Sequence, residues 1–187
     1  MDSDSFPAPI YAETVLAPNF EDAKQLLLDA LLDIHHAHTR MLAKQGILTP
    51  SEERTLLDSL NKLDKDEIAR ACYDGSCEDL FFFIEKLLER ACGELAGKMH
   101  TARSRNDIAV ATYRMALRRW LLDFASAVAV VRAVVLDMAG KHIETVMPAH
   151  THTQPAQPTT LAHYLLGASE FLARDLVRIR PPFRAST

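Results

Sequence analysis

DIAVATYRMALRRWLLDFASAVAVVRAVVLDMAG, residues 107 to 140, is the stretch whose reading decides the fold. It contains no proline, and its one glycine is the last residue, Gly140. Left unbroken, it predicts a single helix about 50 Å long. The second half, Ala125 to Met138, is apolar nearly all round apart from Ser126, Arg132 and Asp137. A helix apolar on every side has to be covered by neighbours. A chain of 187 residues has few other helices to spare, so partner subunits are expected to supply the cover.

Outward from that helix, composition narrows the class. Apolar residues make up 48% and charged residues 25%, which fits a globular protein and excludes a disordered tail or a disulfide scaffold. Six glycines and 7% aromatics suit a sandwich or barrel poorly. A net charge of −4 gives no basic field to recruit nucleic acid. Cys72, Cys77 and Cys92 form no C-x-x-C pair and read as reduced thiols. The polar, acidic start is not a secretory signal, and no apolar run reaches membrane-spanning length, so a cytoplasmic protein is expected. The expected fold is all-α.

Residues 1–18, with three prolines, read as a loose arm. Asn19 resembles an N-cap, and apolar residues from Ala23 to Leu42 recur at helical spacing up to Gly46. Thr49-Pro50-Ser51-Glu52 sets out a cap, a first-turn proline and an acidic first turn, followed by Leu56, Leu57, Leu60 and Leu63 on one face. Another helix is expected from Glu78 to Leu95, with Leu80, Phe83, Ile84, Leu87, Leu88 and Ala91 facing inward. A last one is expected from Pro158 to Ile179, stopped by Pro181-Pro182. His35, His36 and His38 lack acidic or thiol partners for a metal and read as helix surface. The expected division is an arm over 1–18, a helical region over 19–105, and the start of a long-helix bundle over 106–187.

Two segments do not read as core. Gly97 to Asp107 crowds three cations, two hydroxyls, an imidazole and an amide into the turn before the long helix. Ser104 and Asp107 have capping-box spacing, and a helix N-terminus beside arginines suits a carboxylate or phosphate. The alternative is a capped helix start with solvated charges. Thr145 to Ser169 has no charged residue over 25 positions, yet carries His150, His152, His163, Gln154, Gln157 and five threonines. It reads either as a buried loop holding something polar, with Gln154 a candidate contact, or as a Pro-rich connector.

GKMHTARSRND, followed by THTQPAQPTT, resembles argininosuccinate lyase, a family of the fumarase and aspartase superfamily. EDLFFFIE and AHTRMLAKQGIL extend the resemblance over roughly Asp22 to Arg180. It implies a homotetramer built round a central bundle, and a carbon–nitrogen lyase that cleaves argininosuccinate to arginine and fumarate without metal or organic cofactor. Ser104, Arg105 and Asn106 match positions that hold the substrate's carboxylate end. Thr151 matches another substrate contact, and His152 the active-site histidine, which acts as acid/base or orients the group that does.

The departures are specific. Ala102 replaces the family's glycine, Phe81 stands where a histidine is usual, and His35 falls where a substrate-binding serine is usual. The family's third signature, a serine-bearing G-S-S-x-M-P-x-K-x-N loop, does not occur in these residues and is expected beyond them. That leaves a truncated lyase as the main expectation. The alternatives are a non-catalytic relative that binds a dicarboxylate or joins a full-length lyase, and a lyase of the adenylosuccinate type.

Overall fold

The computed structural model describes residues 7–185, with side chains described as far as residue 179. It is 73% helical, with one small two-stranded sheet, so the all-α expectation holds with a single local exception. Two compact units divide between Ala116 and Leu117, inside the longest helix.

The first unit opens on helix, not on an arm. Residues 1–6 of the expected arm lie outside the described residues, but α1 (Pro9–Tyr11), a wide π turn (Ala12–Leu16) and α2 (Ala17–Leu26) run on without a gap. Pro18 sits in the first turn of α2, just after the π turn. A wider turn accommodates a residue that has no N–H to give, so proline here redirects helix without ending it. Asn19 therefore lies inside α2. The expected continuous helix instead breaks at Leu27, whose φ of −121° leaves the helical range. The chain then resumes as α3 (Leu28–Lys44) and stops before Gly46, where φ is +72°.

Caps set the next elements. Thr49 and Glu52 exchange backbone bonds in a full capping box, with Pro50 in the first turn of α4 (Pro50–Asn61). Asp64 accepts from the backbone N–H groups of Asp66 and Glu67 to start α5 (Lys65–Arg70). Asp79 caps α6 (Leu80–Cys92) through the Phe82 N–H, and Gly93 at φ 60° ends it. Leu80, Phe81, Ile84, Leu87 and Leu88 of α6 are buried against Leu42, Leu56, Leu60 and Ile68. Ala91, expected inward, is exposed instead, one turn beyond the part of α6 that the core covers. A short α7 (Leu95–Lys98) places Met99 in the same core.

The decisive stretch forms α8 (Arg105–Lys141), 37 residues without a break. In the second unit β1 (Val146–Thr151) and β2 (Gln154–Thr160) form an antiparallel hairpin, followed by α9 (Leu161–Ala185). This corrects two expectations. The uncharged segment is a ribbon rather than a buried loop, and the last helix starts at Leu161 rather than Pro158. A lone two-stranded ribbon has only edge strands, so it tolerates Pro148, Pro155 and Pro158. Nor does α9 stop at Pro181-Pro182; its backbone continues to Ala185. A proline forfeits its own place in the ladder, and flanking bonds can carry a helix across it.

The apolar face of α8 stands open: Val130, Val131 and Val134 are 64%, 51% and 54% exposed. Covering one such valine stabilises by about 1–2 kcal/mol. The chain should therefore self-associate. Sedimentation velocity should show a concentration-dependent multimer that Val130→Glu with Val134→Glu converts to monomer; a parent chain that stays monomeric at high concentration contradicts this.

Candidate functional site

The basic turn is held at several points. From α3, His38 Nε2 lies 3.0 Å from the Thr101 carbonyl. Thr101 Oγ1 donates to the Lys98 carbonyl at 2.8 Å. Ala102, in the position where the resemblance places glycine, has φ 60°. The left-handed conformation costs an L-residue about 1–2 kcal/mol, so the surrounding bonds hold strain here.

Past that residue the turn separates its two arginines. Arg103 points inward, where Nη2 is 2.9 Å from His35 Nδ1 and 3.1 Å from His100 Nδ1. Arg105 points outward, pairs with Asp79, and lies with its guanidinium carbon 5.1 Å from the centroid of the Phe81 ring. Between them Ser104 caps α8. Its Oγ accepts from the Asn106 N–H at 3.0 Å, and its own N–H donates to Asp107 Oδ2 at 3.0 Å. Ser104, Arg105 and Asn106 are exposed at a helix N-terminus, which is an arrangement able to receive a carboxylate.

His152 and Thr153 form the two-residue turn between the strands, at φ 49° and 64°. Two successive positive φ values define the tight hairpin turn that asparagine and glycine normally occupy. A β-branched threonine there is a strained residue. Thr151 Oγ1 lies 2.9 Å from His152 Nδ1, and Thr151 pairs with Gln154 across the ribbon. These three predicted residues are thus brought together at one tip, all exposed. The turn belongs to the first unit and the hairpin to the second.

The reading of the three histidines as helix surface fails for His35, which is 1% exposed. It shares the buried stripe of α3 with Leu31, Leu32, Thr39 and Leu42. Burial, and next the Arg103 charge, hold its pKa well below the ordinary imidazole value. The same two causes, in the same order, bring His100 down to about 4. Arg103 is lowered to about 10 by burial and stays cationic at neutral pH. Glu85 lies 2.5 Å from His100 Nε2 without hydrogen-bond alignment, and burial raises its pKa. Sequence reasoning counted His100 within the basic turn but missed Asp79 and Glu85 as its supports, because Asp79 meets Arg105 26 residues on and Glu85 meets His100 only through folding. No group of side chains able to hold a metal occurs among the described residues. Nor is any described helix long and apolar enough to cross a membrane.

A long-helix chain with a carboxylate-ready cap and a histidine on a strained hairpin belongs to the class of helical-bundle lyases. A family profile described as "Lyase" matches residues 34–184. The chain belongs to this lyase family, within the fumarase and aspartase superfamily. It is 40% identical over 179 residues to argininosuccinate lyase 2 of Agrobacterium fabrum, covering 95% of this chain and 36% of that protein. It is also 40% identical to argininosuccinate lyase of Moorella thermoacetica over 144 residues, 76% of this chain and 31% of that one. An EDDS lyase in complex with formate is 40% identical with a TM-score of 0.78, over 96% of this chain and 35% of that chain. The chain spans about a third of the length of the curated relatives it matches.

Two neutral imidazoles make stability depend on pH. Their folded pKa values lie below the unfolded value of about 6.5, so the unfolded chain binds more protons on acidification. The stabilisation is complete above that value and is lost as pH falls towards about 4 for His100. His36, His38 and Arg103 reinforce the effect, while Glu85, with its raised pKa, opposes it. Thermal melts should show a midpoint lower at pH 5 than at pH 7.5, by about 2–4 °C for each kcal/mol lost. The difference should shrink in His100→Gln. A midpoint that rises on acidification would show that the rings are not held neutral.

Proposed function

We propose that this chain supplies two segments of a carbon–nitrogen lyase site that cleaves argininosuccinate to arginine and fumarate. What most supports the reading is the pairing of a capped basic turn with a histidine strained onto a hairpin tip, within a chain 40% identical to argininosuccinate lyases. Abstracting a proton beside a carboxylate builds a dianion-like intermediate on that carboxylate. Ser104, Arg105, Asn106 and the free N–H groups of α8 stabilise charge that exists chiefly near the transition state. Arg105 can exchange its Asp79 partner for the substrate's carboxylate. Thr151 and Gln154 border the substrate, and His152 delivers a proton to the leaving nitrogen or orients the group that does.

The proton itself is removed by a serine on a loop that these residues do not contain. The site takes no metal or cofactor and forms in a cytoplasmic homotetramer; because these residues do not carry that loop, a full-length lyase in the same assembly has to bring it.

One observation favours a second substrate. His35 is enclosed with Nδ1 taken by Arg103, and Phe81 has no polar atom, so both positions are closed to an arginine-like amine. EDDS lyases at about 40% identity are named for a different compound. An aspartate carrying another N-substituent is the alternative.

Fumarate release, followed by its ultraviolet absorbance, decides among argininosuccinate, adenylosuccinate and EDDS. The purified chain should release little by itself, because losing a general base costs several powers of ten, about 10²–10⁴. Mixing it with a full-length lyase that lacks the histidine equivalent to His152 should restore turnover. High activity of the chain alone would show that another residue removes the proton. Separately, Arg105→Ala should weaken succinate binding by about 1.5–3 kcal/mol, against under about 0.5 for the exposed Lys62→Ala. Equal affinities by calorimetry return the turn to a simple capped helix start.

A further inference from the structure

Behind the basic turn lies a half-buried cation with no carboxylate hydrogen-bonded to it among the described residues, although the Glu85 charge is close enough to act on it. Arg103 Nη2 reaches the Nδ1 atoms of both His35 and His100, while Nε and Nη1 are enclosed without partners. A guanidinium only donates, so both Nδ1 atoms must present lone pairs. Each ring then carries its proton on Nε2 and is neutral. We propose that Arg103 is the positioning residue of the substrate turn, held from behind by His35 and His100 as two Nε2–H imidazoles. The role rests on reading Ser104, Arg105 and Asn106 as a carboxylate-binding turn; the clamp does not depend on that reading.

The geometry fits a positioning device. Phe81 lies between the two halves, its ring centroid 5.9 Å from that of His35 and 5.4 Å from that of His100. The guanidinium carbon of Arg105 lies 5.1 Å from the same ring. Both arginines of the turn are therefore referenced to one rigid aromatic on α6, and the residue between them is Ser104. Displacing Arg103 moves the residue that adjoins the cap.

The choice of partner has an electrostatic consequence. A carboxylate beside Arg103 would cancel its charge. Two neutral acceptors hold the cation without adding a charge of their own, so the part of its field that Glu85 does not offset acts on an anion at the neighbouring turn. Glu85 is the nearest acid to this clamp, and it approaches His100, on Nε2 rather than on Nδ1.

Imidazole nitrogen NMR of the isotope-labelled chain at neutral pH tests the clamp directly. Both His35 and His100 should show a protonated Nε2 and an unprotonated Nδ1. In Arg103→Gln at least one ring should move towards the other tautomer, and calorimetric succinate affinity should fall about tenfold or more although Arg105 is intact. Arg103→Lys, which keeps the charge but has one point donor, should not rescue it. Leu60→Ala, which weakens the core away from the turn, separates lost stability from lost positioning and should keep its succinate affinity. A proton on Nδ1 of either ring in the parent overturns the clamp. Shifted tautomers with unchanged affinity in Arg103→Gln overturn the positioning role. A parent chain that binds no succinate overturns the carboxylate-turn reading and that role with it, while the tautomers still decide the clamp.

Discussion

The cap at Ser104, whose Oγ accepts from the Asn106 N–H while its own N–H donates to Asp107, determines where α8 begins, and most of what this chain can do follows from that start. A helix of 37 residues has one N-terminus, and its first N–H groups lack partners within the helix. The cap satisfies some of them and leaves Arg105 and Asn106 in the first turn, facing solvent. Moving the start by one residue would rotate these side chains by about 100° round the axis, since a turn takes 3.6 residues. Hence the turn is fastened from several sides, by His38, Arg103, Phe81 and Asp79, before the helix begins.

The hairpin solves a comparable problem with different means. His152 is fixed by backbone conformation instead of packing, since the tip of the ribbon is exposed on both strands. Positive φ at His152 and Thr153 is costly for side chains with a Cβ, and the ladder on either side maintains it together with the local contacts of Thr151 and Thr153 to His152. Strain of this kind points a side chain in one direction from a very short turn. Glycine at 153 would ease the turn and loosen that direction.

Elements governed by local rules were readable from the sequence alone. The cap at Thr49, the buried faces of α4 and α6, the stop at Gly46 and the whole of α8 follow from residues within a few positions of one another. What escaped depends on distant partners or on the absence of a face. His35 sits in a polar-looking run but is 68 residues from the arginine that explains its burial. The hairpin shows little apolar alternation because its sides are at most half-covered, and its turn carries His-Thr where asparagine and glycine are usual. Prolines misled in both directions: Pro18 and Pro181 lie within helices, and Pro158 within a strand. The candidate residues Ser104, Arg105, Asn106 and His152 were singled out by motif strings, while the His35 and His100 contacts to Arg103 behind the basic turn were not.

Exposure sets the last condition on function. In open water an ion pair at 4 Å is worth about 1 kcal/mol, whereas a partly screened environment raises it to about 4 kcal/mol. For the proposed reaction, stabilising a developing dianion by several kcal/mol therefore needs water kept out. Every predicted contact residue of the chain is solvent-exposed in the single protomer, and so is the valine face of α8. The two deficits have one physical remedy, which is cover by further protein. Arg103 shows the first step of such enclosure: half-buried against the Nδ1 atoms of His35 and His100, its guanidinium is less open to water than that of Arg105.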